Sequence, residues 1–309
     1  MHHHDTRKII VIIVTFNAMR CIDKCLTSLE GSTIPLTPLI IDNSSIDGTV
    51  EFIKQNFPRN EIIENTKNYG FGKANNIGFK YAIDNMADFV LLLNQDVFIE
   101  PDTVEKLLDT QVFNPHFGIL SPVHLNGKGN RLDRNFSTCI PFKTLSEIEE
   151  FTQSGTKSIE TNFVNAAVWL IPISMILSVG GFDPLFFHYG EDRDYCYRAS
   201  FHGYKIGIVL KSSICHDRVY LPDNQYRSTQ NLLFSVALAH LKNLNNKFIY
   251  NYFTLIIQRL KRCLKWLLLR DYSSFYVEII IQFKLLFLIR KILGSRMRCK
   301  SIGSHFLSQ

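Results

Sequence analysis

Apolar strands that alternate with amphipathic helices constrain the fold of this chain more than any other sequence feature. Residues 8–14 (KIIVIIV) form a β-branched run typical of a buried strand, and a helix-period stretch follows it through Leu29. The unit recurs: strands are predicted at 39–41, 61–64 and 89–93, one helix is predicted to begin at Asp47, and another to follow residues 65–72 and run through Met86. This alternation predicts an α/β fold with a mainly parallel sheet flanked by helices, whose ligand site lies beyond the carboxyl ends of the strands.

The second half of the chain is less regular. Strand-like pieces lie near residues 118–120 and 163–170, and a polar stretch runs between 126 and 155, so we expect a mixed sheet there. Further predicted elements are helices at 172–179, 191–200 and 224–246 and a strand at 204–209.

Polar clusters follow the predicted strands. After the second strand comes Asp42-Asn43-Ser44-Ser45, which suits an Asx turn and helix cap without any ligand. The alternative is that the Asp42 carboxylate accepts the imide N–H of a uracil or thymine ring. Asp96 ends the fourth strand and offers the oxygen ligand that Mg²⁺ or Mn²⁺ prefers, although it also suits a cap for a helix near Pro101.

The segment after the third strand, 68–78 (NYGFGKANNIG), only superficially resembles a phosphate loop. Lys67 and Ala74 occupy positions that a Walker A loop gives to Gly and Ser/Thr, and the three spaced glycines of a dinucleotide fold are missing. Gly70 and Gly72 still permit close approach of the backbone to a ligand, and Lys73 could neutralise a phosphate at a helix N-terminus.

A last candidate segment carries three acids in one predicted helical turn. Glu191, Asp192 and Asp194 follow the turn GGFD at 180–183. Acids in a first turn favour the helix dipole by themselves. A carboxylate at a helix start that faces a cleft is also a candidate general base.

These segments, in this order, resemble the family 2 inverting glycosyltransferases with the GT-A fold, particularly bacterial rhamnosyltransferase-like members, over residues 8–216. The resemblance implies that Asp192 is the base with Glu191 beside it, and that Asp96 binds the metal, Mg²⁺ or Mn²⁺. It places His216 near the metal or diphosphate, where a structural role also stays open. Asn94 departs from the family, since it replaces the first acid of the better-known DxD motif. The implied nucleotide-binding residues are Thr15, Phe16, Asn17, Asp42, Asn43, Ser45, Asn68, Gly70, Gly72, Lys73, Asn75 and Asn94.

The activity implied by this resemblance is transfer of a sugar from a nucleoside-diphosphate sugar to a hydroxyl of a glycan or lipid-linked acceptor in surface polysaccharide synthesis. Rhamnose from dTDP-rhamnose is the favoured donor by resemblance, and a UDP-hexose is the alternative. A sugar-phosphate nucleotidyltransferase would need a Gly-rich, basic loop after the first strand, which 14–18 (VTFNA) does not provide. An inactive, membrane-associated sugar- or nucleotide-binding scaffold is the non-enzymatic alternative.

The charge distribution divides the chain into a predicted catalytic domain, 1–246, and a basic extension, 247–309. The extension holds 12 Lys and Arg residues against Asp271 and Glu278, while the whole chain carries +6, so residues 1–246 are mildly acidic. A mildly acidic body does not suit a nucleic-acid partner, whereas a basic, apolar extension suits an anionic membrane surface. Seven cysteines without paired spacing favour reduced thiols in the cytoplasm.

The extension is predicted to contain two helices, at 251–270 and 275–293. The first is amphipathic: basic residues such as Arg259 and Lys265 fall on one half, and apolar residues such as Phe253 and Leu264 fall on the other. A membrane interface accounts for this pattern, as does packing on the parent domain or a partner. Charges interrupt the second helix before it reaches a spanning length, so we expect peripheral contact with the inner face of the cell membrane. The run at 9–14 is likewise too short for the apolar core of a signal peptide.

Overall fold

The computed structural model describes residues 7–218 and 225–307, with side chains from 230 onward in the second range, and it contains one large sheet. Residues 1–6, 219–224 and 308–309 lie outside the described residues. They include the start of the predicted catalytic domain, the first residue of the predicted helix 224–246 and the end of the predicted extension. The strands are β1 Ile9–Thr15, β2 Thr37–Asp42, β3 Glu61–Glu64, β4 Phe89–Asn94, β5 Val97–Ile99, β6 Phe117–Asn126, β7 Ser158–Thr161, β8 Val168–Pro172 and β9 Lys205–His216.

Sheet order is β3-β2-β1-β4-β8-β6-β9-β5, with β7 paired to β9. The four strands from β3 to β4 are mutually parallel, whereas β8 runs antiparallel to both β4 and β6. The carboxyl ends of the parallel strands therefore meet at one edge, where Thr15 is in register with Asp42 and Val14 with Asn94. The predicted α/β fold, with a parallel first half and a mixed second half, is confirmed.

Helices cover both faces of the sheet. Alternate residues of β1 point to opposite sides: Ile10 and Ile12 pack in the core on one face of the sheet, while Val11 and Ile13 pack in the core on the other face. The helices are α1 Ile22–Glu30, α2 Thr49–Asn56, α3 Phe71–Asp84, α4 Thr103–Phe113, α5 Leu145–Gln153, α6 Ile173–Val179, α7 Glu191–Phe201, α8 Gln225–Lys242, α9 Phe248–Leu268 and α10 Tyr272–Arg298.

The C-terminal helices α8, α9 and α10 form a third layer with its own core, in which Leu238, Leu255 and Ile281 are buried. This layer is joined to the sheet domain. Phe186, from the loop before α7, packs inside the third core, and Leu307 packs inside the core beneath α3. Among the described residues, no helix combines the length and apolar character needed to cross a membrane.

Candidate active site

The side chains of Thr15 and Asp42 meet at the carboxyl edge of the parallel strands. Thr15 Oγ1 donates to Asp42 Oδ1 at 2.7 Å, and Ser45 donates to the same carboxylate through its hydroxyl, at 2.6 Å, and its backbone N–H, at 2.8 Å. Asp42 is only 2% exposed. The cap-like turn considered from the sequence is thus formed, and Oδ2 accepts a single bond from Ser45, which leaves a lone pair for a further donor.

The loop after β1 is tied to this turn. Asn17 has a positive φ of 51°, and its backbone N–H donates to Ser45 Oγ at 2.9 Å while its side-chain oxygen accepts from the N–H of Ile46. Phe16 stands out from the edge, 45% exposed, and its backbone N–H donates to the side chain of Gln95 at 2.8 Å. The three predicted nucleotide segments after β1, β2 and β4 are therefore hydrogen-bonded to one another.

The Asn68–Gly72 loop is held by the amide of Asn43. Asn43 Oδ1 accepts from the backbone N–H of Tyr69 at 3.3 Å, and Asn68 Oδ1 accepts from the N–H of Gly70 at 2.8 Å. Gly70 has a φ of +80°, and a Cβ at this position would lie 2.2 Å from the carbonyl oxygen of Phe187. This glycine is required both by its backbone conformation and by the close approach of the loop before α7.

Lys73 and Asn75, both in α3, differ in what their side chains contact. Lys73 is half-buried with its ammonium 5.0 Å from the ring centroid of Tyr69, at the start of the helix. Asn75 is buried, and its side chain donates to the carbonyl of Phe71 at 2.9 Å, within the same helix. The Lys73 ammonium therefore lies beside the Asn68–Gly72 loop, whereas the Asn75 amide is engaged by the helix backbone.

Asp96, two residues after Asn94 in the chain, and His216 face each other at the start of β5. Strand β5 pairs Val97 with His216, and His216 Nε2 lies 3.2 Å from Asp96 Oδ1. Burial pushes the pKa of Asp96 upward, but the neighbouring His216 and Arg218 outweigh it, so this pKa lies below its ordinary value. Arg20 fixes the segment after His216, because its guanidinium binds Asp217 at 2.8 Å.

These two side chains suit a divalent cation. His216 is buried, and its Nδ1 has no hydrogen-bond partner within residues 7–218 and 225–307. The described part of the chain contains no cluster of three or more His, Cys, Asp or Glu side chains suited to a metal. A site with one carboxylate and one imidazole matches Mg²⁺ or Mn²⁺, which shares few protein ligands with substrate phosphates and water.

Glu191 and Asp192 begin α7, directly after Gly190 with its φ of +85°. Glu191 is 6% exposed, and its Oε2 has no hydrogen-bond partner among the described residues. Burial, with the adjacent Asp192 carboxylate, raises the pKa of Glu191 to about 8. Burial also raises the pKa of Asp192, against backbone hydrogen bonds from Arg193 and Ala166.

The segment Ala166-Ala167 connects the two halves of the site. The backbone of Ala166 lies close enough to the Asp192 carboxyl to lower its pKa, and the carbonyl of Ala167 accepts from the N–H of Asn94 at 2.9 Å. On the other side, a Cβ placed on Gly72 would lie 3.7 Å from the Cβ of Glu191. The acidic start of α7 therefore adjoins both the strand edge that carries Asp96 and the nucleotide loop.

A sequence model of known proteins, described as Glycosyl transferase family 2, matches residues 10–175, more than half of the chain. The chain belongs to glycosyl transferase family 2. The matched range includes the Thr15, Asp42, Asn68–Asn75 and Asp96 segments, and it ends before α7.

Named relatives of this family 2 chain are transferases. An N-acetylglucosaminyl-diphospho-decaprenol L-rhamnosyltransferase of Mycobacterium tuberculosis is 25% identical over 237 residues, covering 68% of this chain and 76% of the relative. A low-salt glycan biosynthesis hexosyltransferase of Haloferax volcanii is 22% identical over 212 residues, covering 67% of this chain and 66% of the relative.

Solved structures agree on the fold. S. aureus TarS 1-349 in complex with UDP-GlcNAc matches with a TM-score of 0.55 at 16% identity, over 79% of this chain and 69% of that one. GalNAc-T7 with UDP, GalNAc and Mn²⁺ matches with a TM-score of 0.56 at 15% identity, over 75% and 48%.

The sequence patterns did not single out three residues that hold the site together, namely Arg20, Asn76 and Gln95. Asn76 is buried in α3, donates to the carbonyl of Phe182 at 2.8 Å and accepts from its N–H at 2.7 Å. A buried asparagine inside an otherwise apolar helix face was the available signal for this residue. Arg20 and Gln95 gave none, because their partners are distant in sequence.

Proposed function

We propose that this family 2 chain transfers a sugar, with inversion, from a nucleoside diphosphate to a hydroxyl of a lipid-linked or glycan acceptor, and that Mg²⁺ or Mn²⁺ assists the reaction. The observation that carries the proposal is the shared segment Ala166-Ala167: the backbone of Ala166 lowers the pKa of the Asp192 carboxyl, and the carbonyl of Ala167 accepts from the N–H of Asn94 at the end of its strand. The proposed base and the proposed diphosphate edge are therefore neighbours.

Different residues of the site would bind the nucleotide and the metal. Asp42, with Thr15 and Ser45, would hold the base of the nucleotide, and the Asn43–Gly70 contact shapes the loop that covers it. A divalent cation held by Asp96 and His216 would supply charge neutralisation for the departing diphosphate.

Asp192 accepts the proton of the acceptor hydroxyl as its oxygen attacks the anomeric carbon. The bond to the diphosphate breaks on the opposite face, so the configuration inverts. The carboxyl next to it, Glu191, is protonated at neutral pH because its pKa is about 8, so it adds no negative charge beside Asp192.

The donor is proposed as dTDP-rhamnose, since the Mycobacterium relative is a rhamnosyltransferase. A UDP-hexose is the alternative, because TarS binds UDP-GlcNAc and Asp42 can accept from uracil and thymine alike. Incubating the protein with each donor, Mn²⁺ and a prenyl-diphosphate-linked glycan acceptor, and following nucleotide release and the anomeric configuration by NMR, tests the proposal.

We expect an inverted product from one donor, and we expect Asp192→Asn to abolish it while nucleotide binding is retained. Glu160→Gln is a matched control, because Glu160 is an exposed acid of β7 paired with Lys205, and we expect it to leave turnover unchanged. If neither wild type nor Asp192→Asn turned over any donor, the result would favour the non-catalytic scaffold.

The C-terminal layer supports a second part of the proposal, peripheral contact with a membrane. The apolar half of α9 does not pack on the sheet domain: Phe253, Leu260 and Leu264 are each more than half exposed. On α10, Tyr276, Phe283 and Phe287 form a matching exposed stripe, with Phe287 86% exposed. So many exposed apolar side chains on two neighbouring helices mark an interaction site in a folded protein.

Besides its apolar core, the same layer contains buried charged side chains. Arg259 and Glu278 form a buried ion pair between α9 and α10, and Arg262 reaches the other oxygen of Glu278 at 2.7 Å. Burial of this ion pair while Phe253 and Phe287 stay exposed is unusual for helices that face only water, so the arrangement favours a lipid-facing outer surface. Exposed lysines along these helices, such as Lys261 and Lys284, complement anionic headgroups.

Flotation with phosphatidylglycerol vesicles, compared with phosphatidylcholine vesicles, tests this contact. We expect binding to anionic vesicles that Phe287→Asp weakens at least tenfold. Phe113→Asp is the matched control, because Phe113 is also an exposed phenylalanine but lies on α4 of the sheet domain. Equal loss in both variants, or undiminished binding in Phe287→Asp, would contradict the assignment of the surface.

A further inference from the structure

One buried ammonium group lies beneath the acidic start of α7. Lys242, the last residue of α8, is almost fully buried and forms an ion pair with Asp183. Its ammonium also lies 3.3 Å from Asp194 Oδ1 and 2.8 Å from the hydroxyl of Ser295. A buried lysine needs such partners, and each of these three comes from a different element of the chain.

The first partner, Asp183, sets the start of the loop that leads into α7. Its Oδ1 accepts from the backbone N–H of Leu185 at 2.8 Å, and the hydroxyl of Ser295 donates to its other oxygen. Although burial pushes the pKa of Asp183 upward, the Lys242 ammonium holds it below its ordinary value, so the carboxylate stays charged. The loop from Leu185 to Gly190 therefore begins at a fixed anchor.

The second partner, Asp194, lies in the first turn of α7, two residues after Asp192. Its Oδ2 accepts from Arg198 Nε at 2.9 Å, and the same guanidinium donates to the carbonyls of Val179 and Gly181. Because Asp194 is bonded on both sides, its position defines the rotation of α7 about its own axis.

The third partner brings in the C-terminal layer. Ser295 is buried in α10, and its neighbour Arg296 donates to the carbonyls of Leu241 and Asn243 at the end of α8. Ser235 lies on α8, and its side chain and carbonyl oxygen lie about 3 Å from the position that a Cβ on Gly190 would take. Helices α8 and α10 thus contact the segment on both sides of Glu191 and Asp192.

We propose that Lys242 is a positioning residue for the proposed catalytic pair, one that fixes the loop before α7 through Asp183 and the rotation of α7 through Asp194. The C-terminal layer then takes part in the reaction geometry as well as in membrane contact. A purely stabilising role would be served as well by apolar packing, because a buried ion pair adds little net stability over a hydrophobic replacement. The ion cluster differs from apolar packing because its contacts fix the orientation of α7 and of the loop before it. The inference rests on the proposed function in naming Asp192 as the base, with Glu191 beside it.

The test separates position from stability. Lys242→Met leaves Asp183 without its cation and is expected to destabilise the protein, so the decisive variant is Lys242→Met combined with Asp183→Asn, which removes one charge of each sign. We expect the double variant to recover most of the lost thermal stability while kcat stays about 100-fold below wild type, since small misplacement of a reacting group costs roughly that factor. The Kd for the nucleoside diphosphate is expected to stay within about twofold of wild type, because the nucleotide loops do not contact Lys242.

The matched control is Arg259→Met, which removes a buried cation from the α9–α10 ion pair without touching α7. We expect this variant to lose stability but to keep kcat with a soluble acceptor. Recovery of kcat together with stability in the double variant, or an equal fall of kcat in Arg259→Met, would overturn the inference.

A second readout does not depend on turnover, and it separates failure of this inference from failure of the proposed function. Amide hydrogen exchange of residues 185–194 should be faster in the double variant than in wild type and unchanged in Arg259→Met. Unchanged exchange in the double variant would overturn the positioning role whether or not the protein proves to be a transferase.

Discussion

Replacing Glu191 by glutamine should change how the stability of the protein depends on pH. In the folded protein, burial and the Asp192 carboxylate raise the pKa of Glu191 from its ordinary 4.5 to about 8. The folded state therefore keeps a proton that the unfolded chain releases near pH 4.5. The stabilisation from this proton is fully present below that pH, and it is lost as the pH rises through the folded pKa.

The size of the effect follows from the same two pKa values. At about 1.4 kcal/mol for each pH unit, the free energy of unfolding falls by at most about 5 kcal/mol across this window. Glutamine has the same shape and no charge, so Glu191→Gln should remove the part of the dependence that this carboxyl causes. We expect nearly equal stability at about pH 5, and a variant several kcal/mol more stable than wild type at about pH 8.

Urea unfolding of both proteins at intervals between about pH 5 and about pH 8 measures this difference directly. Glu160→Gln provides the control, because Glu160 is exposed and lies outside the site. Parallel pH profiles for wild type and Glu191→Gln would refute the reasoning, since they would show that the Glu191 carboxyl titrates alike in the folded and unfolded chains.

Three further substitutions probe the contacts around the site. Gly70→Ala should destabilise the protein by about 2 kcal/mol or more in thermal unfolding and weaken nucleotide binding, because its φ is positive and its Cβ would meet the Phe187 carbonyl. Asn76→Ala should cost about 3 kcal/mol in urea unfolding, since both backbone groups of Phe182 lose their buried partner. Asp42→Asn should weaken nucleotide binding about tenfold in calorimetry, because the –NH2 that replaces one carboxylate oxygen cannot accept a hydrogen bond from the base.

Local patterns were sufficient to predict the parallel half of the sheet. The run at 8–14 is a strand because of its β-branched residues, and it forms β1, Ile9–Thr15, one residue away from the prediction. Strand β3 has the predicted bounds. The polar residues that follow these strands are brought to one edge by strand register alone, which is why Thr15, Asp42 and Asn94 could be grouped from the sequence.

Elements defined by distant partners could not be predicted in the same way. Strand β5 has three residues and exists because Val97 pairs with His216, far along the chain; β9 extends to the same residue, beyond the predicted 204–209. Helix α5 was missed within the polar stretch at 126–155, although Thr144 and Glu147 have the spacing of a capping box. Thr144 Oγ1 does accept from the N–H of Glu147, while the Glu147 side chain accepts from the N–H of Lys143.

The polarity of the C-terminal layer was also only partly predictable. Helical periodicity gave α9 and α10, and it separated a basic half from an apolar half of α9. Periodicity does not say which half faces inward. Arg259 is buried because Glu278 of the next helix meets it, a contact that no pattern within α9 reveals.

The most direct test of the proposed donor site is calorimetric titration of dTDP, UDP and GDP into wild type and Asp96→Ala, each with and without Mn²⁺. The account predicts that dTDP or UDP binds wild type more tightly with Mn²⁺, that GDP binds weakly, and that Asp96→Ala loses the Mn²⁺ dependence. Binding that is equally tight with and without Mn²⁺, or unchanged in Asp96→Ala, would contradict the assignment of Asp96 and His216 to the metal.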